Sequence, residues 1–274
     1  MKKKSFVLLI LLVLISVFSV GCFDGYFNGD NNNGDGSSGG DGNTTTEETV
    51  DYASIINNIT LNVMQANFKV VVAHEVSFVE TDFAIGSGAI IKREESTLLG
   101  ETEYTYTLLT NNHVVASGTF TKNIFYVEDY CGERIEAEVI VRSANYDLAV
   151  VEFTSTDKYE PLSFNNSPLK VGDAVFAIGT PQFQINAVTI GKILDEIAAP
   201  DSGDENSTIN FNVIKHDAVT KEGSSGGVLL NENLKIVAIN YAGIMNADTG
   251  EFIASVSIPV SRVKQFLTNN GITI

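Results

Sequence analysis

The sequence predicts an all-β fold, a sandwich or a barrel. Three observations carry that reading. Short runs of β-branched and aromatic residues recur along the chain, polar or glycine-containing turns separate them, and no helical pattern is interleaved. In order, the runs fall at 68–72, 89–91, 104–109, 123–127, 138–141, 148–151, 174–178 and 236–239. Helices are expected only at the ends of the folded part. Thr46-Glu47-Glu48 reads as a helix start that carries Val50, Ala53, Ile56 and Ile59 on one stripe. Val263, Phe266 and Leu267 lie at helical spacing and predict a terminal helix over 260–269, packed on the β-structure.

Composition sets the class. The chain has 274 residues, 44% hydrophobic and 19% charged, which suits a globular domain. Its net charge of −17 repels phosphate backbones, so DNA and RNA are excluded as partners. Two cysteines and three histidines argue against a disulfide scaffold and against a zinc cluster.

The N-terminus reads as a leader and a tether. Met1-Lys2-Lys3-Lys4 precedes an apolar run over 6–20, broken only by Ser16 and Ser19. A basic segment followed by a short apolar one is the pattern of a secretory signal; a membrane span needs about 20 apolar residues. Ser19-Val20-Gly21-Cys22 resembles a bacterial lipoprotein signal, with Ser19 where that family usually has Leu. The resemblance implies cleavage after residue 21, lipidation of Cys22 and an extracytoplasmic domain anchored to the bacterial cell membrane. Every residue from 28 to 43 is Gly, Asn, Asp or Ser. Such a tract has no apolar groups to offset the entropy of ordering. Residues 22–49 are therefore expected to tether a domain spanning 50–274.

Three passages carry chemistry. Leu109-Thr110-Asn111-Asn112-His113-Val114-Val115 places a histidine just after a strand. Asn145-Tyr146-Asp147-Leu148-Ala149 places an acid at the mouth of a buried strand. Gly223-Ser224-Ser225-Gly226-Gly227 places a serine in a glycine turn. A serine hydroxyl needs a base to take its proton during attack, and histidine suits that task near neutral pH. A buried carboxylate on the other ring nitrogen enforces the right tautomer. Glycines around the serine let backbone N–H groups turn inward toward a developing oxyanion. His113, Asp147 and Ser225 can thus serve as base, orienter and nucleophile, with the N–H groups of Gly223 and Ser225 as the oxyanion hole. Taken singly, each also has an ordinary structural role: a core histidine, a turn aspartate, a hairpin serine.

Together these motifs resemble those of trypsin-fold serine endopeptidases of the HtrA/Deg type. Gly86-Ser87-Gly88, Val171-Gly172-Asp173, Ala177-Ile178-Gly179-Thr180-Pro181, Val188-Thr189-Ile190-Gly191, Lys215-His216-Asp217-Ala218 and Ser257-Ile258-Pro259-Val260 extend the similarity in order. The resemblance implies two Greek-key β-barrels, about 66–160 and 168–258. His113 and Asp147 would come from the first and Ser225 from the second. The implied reaction is peptide-bond hydrolysis of exported or misfolded proteins through an acyl-enzyme, with no metal or organic cofactor expected. A C-terminal PDZ domain, common in the family, is not expected here. Ser224 replaces the usual Asn before the nucleophile, and Lys221-Glu222 replaces the usual Asn-Pro. The stretch 198–208, with Asp201, Asp204 and Glu205, reads as a solvated loop. Cys131 is expected as a free, partly buried thiol, and His74 and His216 as structural or surface residues.

The same resemblance places Val219, six residues before the nucleophile, at the base of the pocket for the substrate side chain preceding the scissile bond (P1). With no carboxylate there, Lys and Arg lack a partner and small or medium apolar side chains are expected. Asn240, Tyr241 and Ala242 follow a strand that could pair with substrate backbone. A catalytically weak peptide-binding or adhesin lipoprotein on the same fold is the alternative. An esterase fits less well, because Gly226 directly follows the serine and strands do not alternate with helices.

Overall fold

The computed structural model describes residues 50–76, 79–116, 123–181, 186–201 and 204–274. The leader, the tether and the Thr46-Glu47-Glu48 helix start lie outside them. No helix among the described residues is long and apolar enough to cross a membrane.

Six strands, β1 (Asn67–Val76), β2 (Val79–Leu98), β3 (Glu101–Thr110), β4 (Asn123–Glu128), β5 (Arg134–Ser143) and β6 (Leu148–Ser155), close a barrel in the order β1-β2-β3-β6-β5-β4. Six more, β7 (Ala174–Gly179), β8 (Ala187–Ala198), β9 (Asn212–His216), β10 (Val228–Leu230), β11 (Ile236–Met245) and β12 (Phe252–Pro259), close a second. Its order, β7-β8-β9-β12-β11-β10, repeats the first displaced by six strands. In each barrel the fourth strand returns beside the first, which is a Greek key. Closure pairs most of each barrel's strands on both sides, which leaves little sheet edge among the described residues.

Side-chain chemistry explains the layers. β5 alternates between half-buried and exposed residues along its whole length, so one face meets the core and one meets solvent. β6 begins with four buried residues, Leu148 to Val151, all of them part of the hydrophobic core. Inside the first barrel, the ring of Phe68 lies 5.1 Å from Phe153 and 5.0 Å from Tyr159, and Tyr106 stacks on Phe153 at 5.0 Å. The two buried phenols find partners: Tyr106 donates to Asp157 O (2.7 Å) and Tyr159 to Asp129 Oδ2 (3.1 Å).

The N-terminal helix α1 (Tyr52–Asn58) is capped by Asp51, whose Oδ1 accepts from Ser54 N at 3.1 Å. Its inward face differs from the expected stripe. Tyr52 and Ile55 pack on the core with Ile59 and Val63, whereas Ala53 and Ile56 face solvent. The Tyr52 ring, 6.1 Å from Phe176, sets the rotation, and the chain widens into a π-turn over Ile59–Val63 that brings Val63 inward. Cys131 also differs from expectation: it is exposed at the tip joining β4 to β5, where its N–H donates to Asp129 Oδ1.

His216, at the end of β9, is wholly buried with Nε2 2.8 Å from Ser257 Oγ. Burial pulls its pKa down to about 4, partly opposed by Asp217. The unfolded chain therefore takes up this proton near the ordinary value of about 6.5 while the folded chain does not. Stability should fall as pH drops from about 6.5 to about 4, by about 3 kcal/mol for this residue. Melting temperatures across that range, compared with those of His216→Gln, should show a shallower acid limb in the variant.

Candidate active site

The turn after β3 carries the histidine. One helical turn, α2 (Asn112–Val115), follows Asn111 and anchors Val114 and Val115 in the core, leaving His113 half-buried. The loop between β5 and β6 carries the acid. Asp147 has φ +47, a left-handed conformation that a short polar side chain tolerates, and is wholly buried. Both its carboxylate oxygens meet His113: Oδ1 accepts from the backbone N–H at 2.8 Å, and Oδ2 lies 2.6 Å from Nδ1. Asn111 Nδ2 donates to the Asp147 carbonyl at 2.8 Å and closes the arrangement from behind.

Ser225 stands in the turn before β10. Ser224 N–H donates to Lys221 O at 2.8 Å, and Gly223 at the third position of that turn has φ +92, the requirement of a type II turn. Gly226 has φ +85, and a Cβ there would collide with Ser87 O and the Thr110 hydroxyl. Only glycine fits both positions. The N–H groups of Gly223 and Ser225 donate no hydrogen bond among the described residues. The Ser225 hydroxyl donates to the carbonyl of Tyr241 at 3.2 Å and is not bonded to His113. Tyr241 is the neighbour shared by both, since its ring centroid lies 6.4 Å from that of His113.

A cavity of about 530 Å³ opens beside Ser225, lined among others by Val219, Tyr241, Ala242, Gly243, Met245 and Phe252. Lys221 and Glu222 also line it; Val219 brings no charge. Asn240 borders it too, but as a strut. Its side chain is buried and donates to Ile178 O (3.0 Å) and Val228 O (3.4 Å). Its backbone exchanges hydrogen bonds with Gly226 N and Gly227 O (3.0 and 2.8 Å), leaving neither group free for a substrate.

Three contributions were not visible in the sequence. The stretch expected as a solvated loop reaches back across the seam. Asn206 O accepts from Asn112 Nδ2 (2.6 Å), Thr208 N donates to Ala144 O (2.9 Å), and Ser207 Oγ donates to the Tyr241 hydroxyl (3.1 Å). It thus braces the segments next to His113 and Asp147. Asn111 is the second contribution. Ser87 is the third; a small polar residue between two glycines in a buried strand was the one available hint. The helix α3 (Val260–Asn269) buries Val263, Phe266 and Leu267, and its Phe266 ring lies 5.8 Å from Tyr146, next to Asp147.

Comparison with known proteins places this geometry. A model described as "Trypsin-like peptidase domain" matches residues 86–239, more than half of the chain. The chain is 31% identical over 186 residues to a "Probable periplasmic serine endoprotease DegP-like" of Buchnera aphidicola subsp. Baizongia pistaciae, covering 68% of this chain and 36% of that protein. It is 30% identical over 196 residues to "Serine protease Do-like HtrA" of Bacillus subtilis, covering 70% and 41%. It is 29% identical over 182 residues to "Periplasmic serine endoprotease DegP" of Escherichia coli K12, covering 66% and 34%. The chain therefore spans little more than a third of the length of these curated relatives. The matched segment contains His113, Asp147 and Ser225 and crosses both barrels; the chain belongs to the trypsin-like peptidase domain family.

Proposed function

We propose that the chain is a serine endopeptidase with Ser225 as nucleophile, His113 as general base and acid, and Asp147 orienting the imidazole. The observation that carries this is the buried Asp147 carboxylate holding both the ring and the backbone N–H of His113, across Tyr241 from a serine in a glycine turn. With Nδ1 protonated against Asp147, Nε2 is the lone-pair nitrogen. Rotation about the Ser225 side-chain bond takes the hydroxyl from Tyr241 O toward Nε2; such contacts commonly tighten only when substrate binds. His113 then takes the hydroxyl proton as Oγ bonds to the scissile carbonyl carbon. The oxygen that becomes negative meets the N–H groups of Gly223 and Ser225. Collapse expels the amine, which leaves with the proton from His113. Water, deprotonated by the same imidazole, releases the acyl group.

The substrate backbone has a place to lie. β10 pairs with β11 only over residues 236–239, while Ala242 to Met245 are paired with β12 on one side. An extended peptide can add to the other side, with its P1 side chain in the cavity. An uncharged cavity base favours small or medium apolar side chains. Gly243 is the natural site to test this, because a Cβ there would meet only Thr220 O, at 3.8 Å. Gly243→Leu should fold normally, fill part of the cavity and lower kcat/KM for Leu or Met at P1 by about tenfold, a few methylenes' worth of lost pocket, while sparing Ala. Peptide-library profiling of both proteins checks it.

The relatives named as periplasmic endoproteases support an extracytoplasmic site of action, and the leader supports anchoring through lipidated Cys22. Exported or misfolded proteins are then the substrates. A fluorophosphonate should label the folded protein at one residue, and Ser225→Ala should abolish the label. The bond from Ser225 to Tyr241 O favours a second reading, a weakly catalytic peptide-binding module. Casein hydrolysis unchanged in both His113→Ala and Ser225→Ala would select it.

A further inference from the structure

Ser87 lies in β2, in the barrel opposite the nucleophile, and is wholly buried. Each of its polar groups is spent on the site. Its hydroxyl donates to Gly223 O at 2.7 Å and accepts from Thr180 N at 2.8 Å. Its N–H donates to Ser225 O at 2.8 Å. Its carbonyl accepts from the Thr110 hydroxyl at 2.6 Å, two residues before α2. The flanking glycines permit this approach: a Cβ on Gly86 would strike Val114 and come within 3.1 Å of Ser225 O.

We propose that Ser87 is a positioning residue that pre-sets the oxyanion donors; this rests on the endopeptidase reading above. A peptide unit is planar, so holding its oxygen and its N–H together holds its plane; the N–H groups of Ser224 and Gly226 donate to Lys221 O and Asn240 O (2.8 and 3.0 Å). Ser87 holds the units 223–224 and 225–226. The unit between them, 224–225, carries the Ser225 N–H, and the unit before them carries the Gly223 N–H. Anchoring those two units fixes the Cα atoms on both sides of unit 224–225, whose Ser224 O also accepts from Gly227 N at 3.1 Å, and fixes the Gly223 end of the unit before it. Donors fixed before the reaction need no reorganisation as charge develops. The contribution appears in the transition state and not in ground-state binding.

Steady-state hydrolysis of an apolar-P1 peptide, with inhibition by a peptidyl trifluoromethyl ketone of the same sequence, tests this in wild type, Ser87→Ala and Ser87→Thr. The ketone forms a tetrahedral oxyanion on the serine. In Ser87→Ala, kcat should fall about 10- to 100-fold with KM within about twofold, and ketone affinity should weaken in parallel, the range of one lost oxyanion contact or less. Ser87→Thr, which keeps the hydroxyl, should restore most of kcat. A folded Ser87→Ala with wild-type kcat and ketone affinity overturns the proposal, as does a loss confined to KM. If Ser87→Ala does not fold, Ser87→Cys, a weak donor of similar size, is judged by the same readings. An inert wild type removes the endopeptidase reading itself and this proposal with it, whereas an active wild type with an unaffected variant removes this proposal alone.

Discussion

Ser225→Ala is expected to lower kcat for peptide hydrolysis by about 10⁶-fold, leaving the residual rate that binding and the remaining N–H donors supply. The size follows from the loss of the covalent route: without the hydroxyl, water must attack without a nucleophile already placed beside the carbonyl. Folding should be unaffected. The side chain makes one hydrogen bond, to Tyr241 O, and the turn is held by backbone contacts from Ser87, Lys221 and Asn240. Peptide binding should persist, because the cavity and the open side of β11 do not depend on the hydroxyl. Active-site titration and kcat/KM on an apolar-P1 peptide measure the loss, and calorimetry of peptide binding to the variant measures what remains. Hydrolysis within tenfold of wild type would place the chemistry elsewhere.

Asp147→Asn is the second large effect, about 10⁴-fold in kcat, with the melting temperature little changed. Asn tolerates the left-handed φ of +47 as well as Asp does, and it is nearly isosteric. Its single carbonyl oxygen can accept from the His113 backbone N–H, as Oδ1 does now. That places the amide NH2 against Nδ1, which must then accept. The ring proton moves to Nε2, and the nitrogen facing the serine becomes a donor that cannot take the hydroxyl proton. The reverse orientation sets the NH2 against the backbone N–H and is worse. Circular dichroism with kcat separates the two consequences, since retained structure and lost turnover is the expected pair. A wild-type rate in Asp147→Asn would mean that the carboxylate does not orient the base.

Much of the site was readable because its chemistry is local. The glycines about Ser225 announce a turn with positive φ, and a histidine after one buried strand with an aspartate before another mark two loops at barrel ends. What each side chain meets is not local. Ser87 and Gly223 are 136 residues apart, and Asn112 and Asn206 are 94 apart. No periodicity relates such pairs. Asn240 shows the difference at a single position: it reads as following a strand and open to substrate backbone, whereas it lies within β11 with both its backbone and its side chain already engaged. The helix at the N-terminus makes the same point: its sequence was read as one stripe, Val50, Ala53, Ile56 and Ile59, and the fold turned the neighbouring face with Tyr52 and Ile55 inward instead.

Short runs of β-branched and aromatic residues between polar or glycine turns were enough to indicate an all-β chain, since such side chains suit a pleated strand whatever its partners. Residue chemistry likewise dictated which imidazole, carboxylate and hydroxyl were available. The two barrels were implied by the family resemblance, and the structure bears them out; their common strand order and the bonds that cross their seam came only with tertiary structure. Hydrogen bonds between distant backbones depend on register and twist, which arise when the barrels close and are written in no single segment.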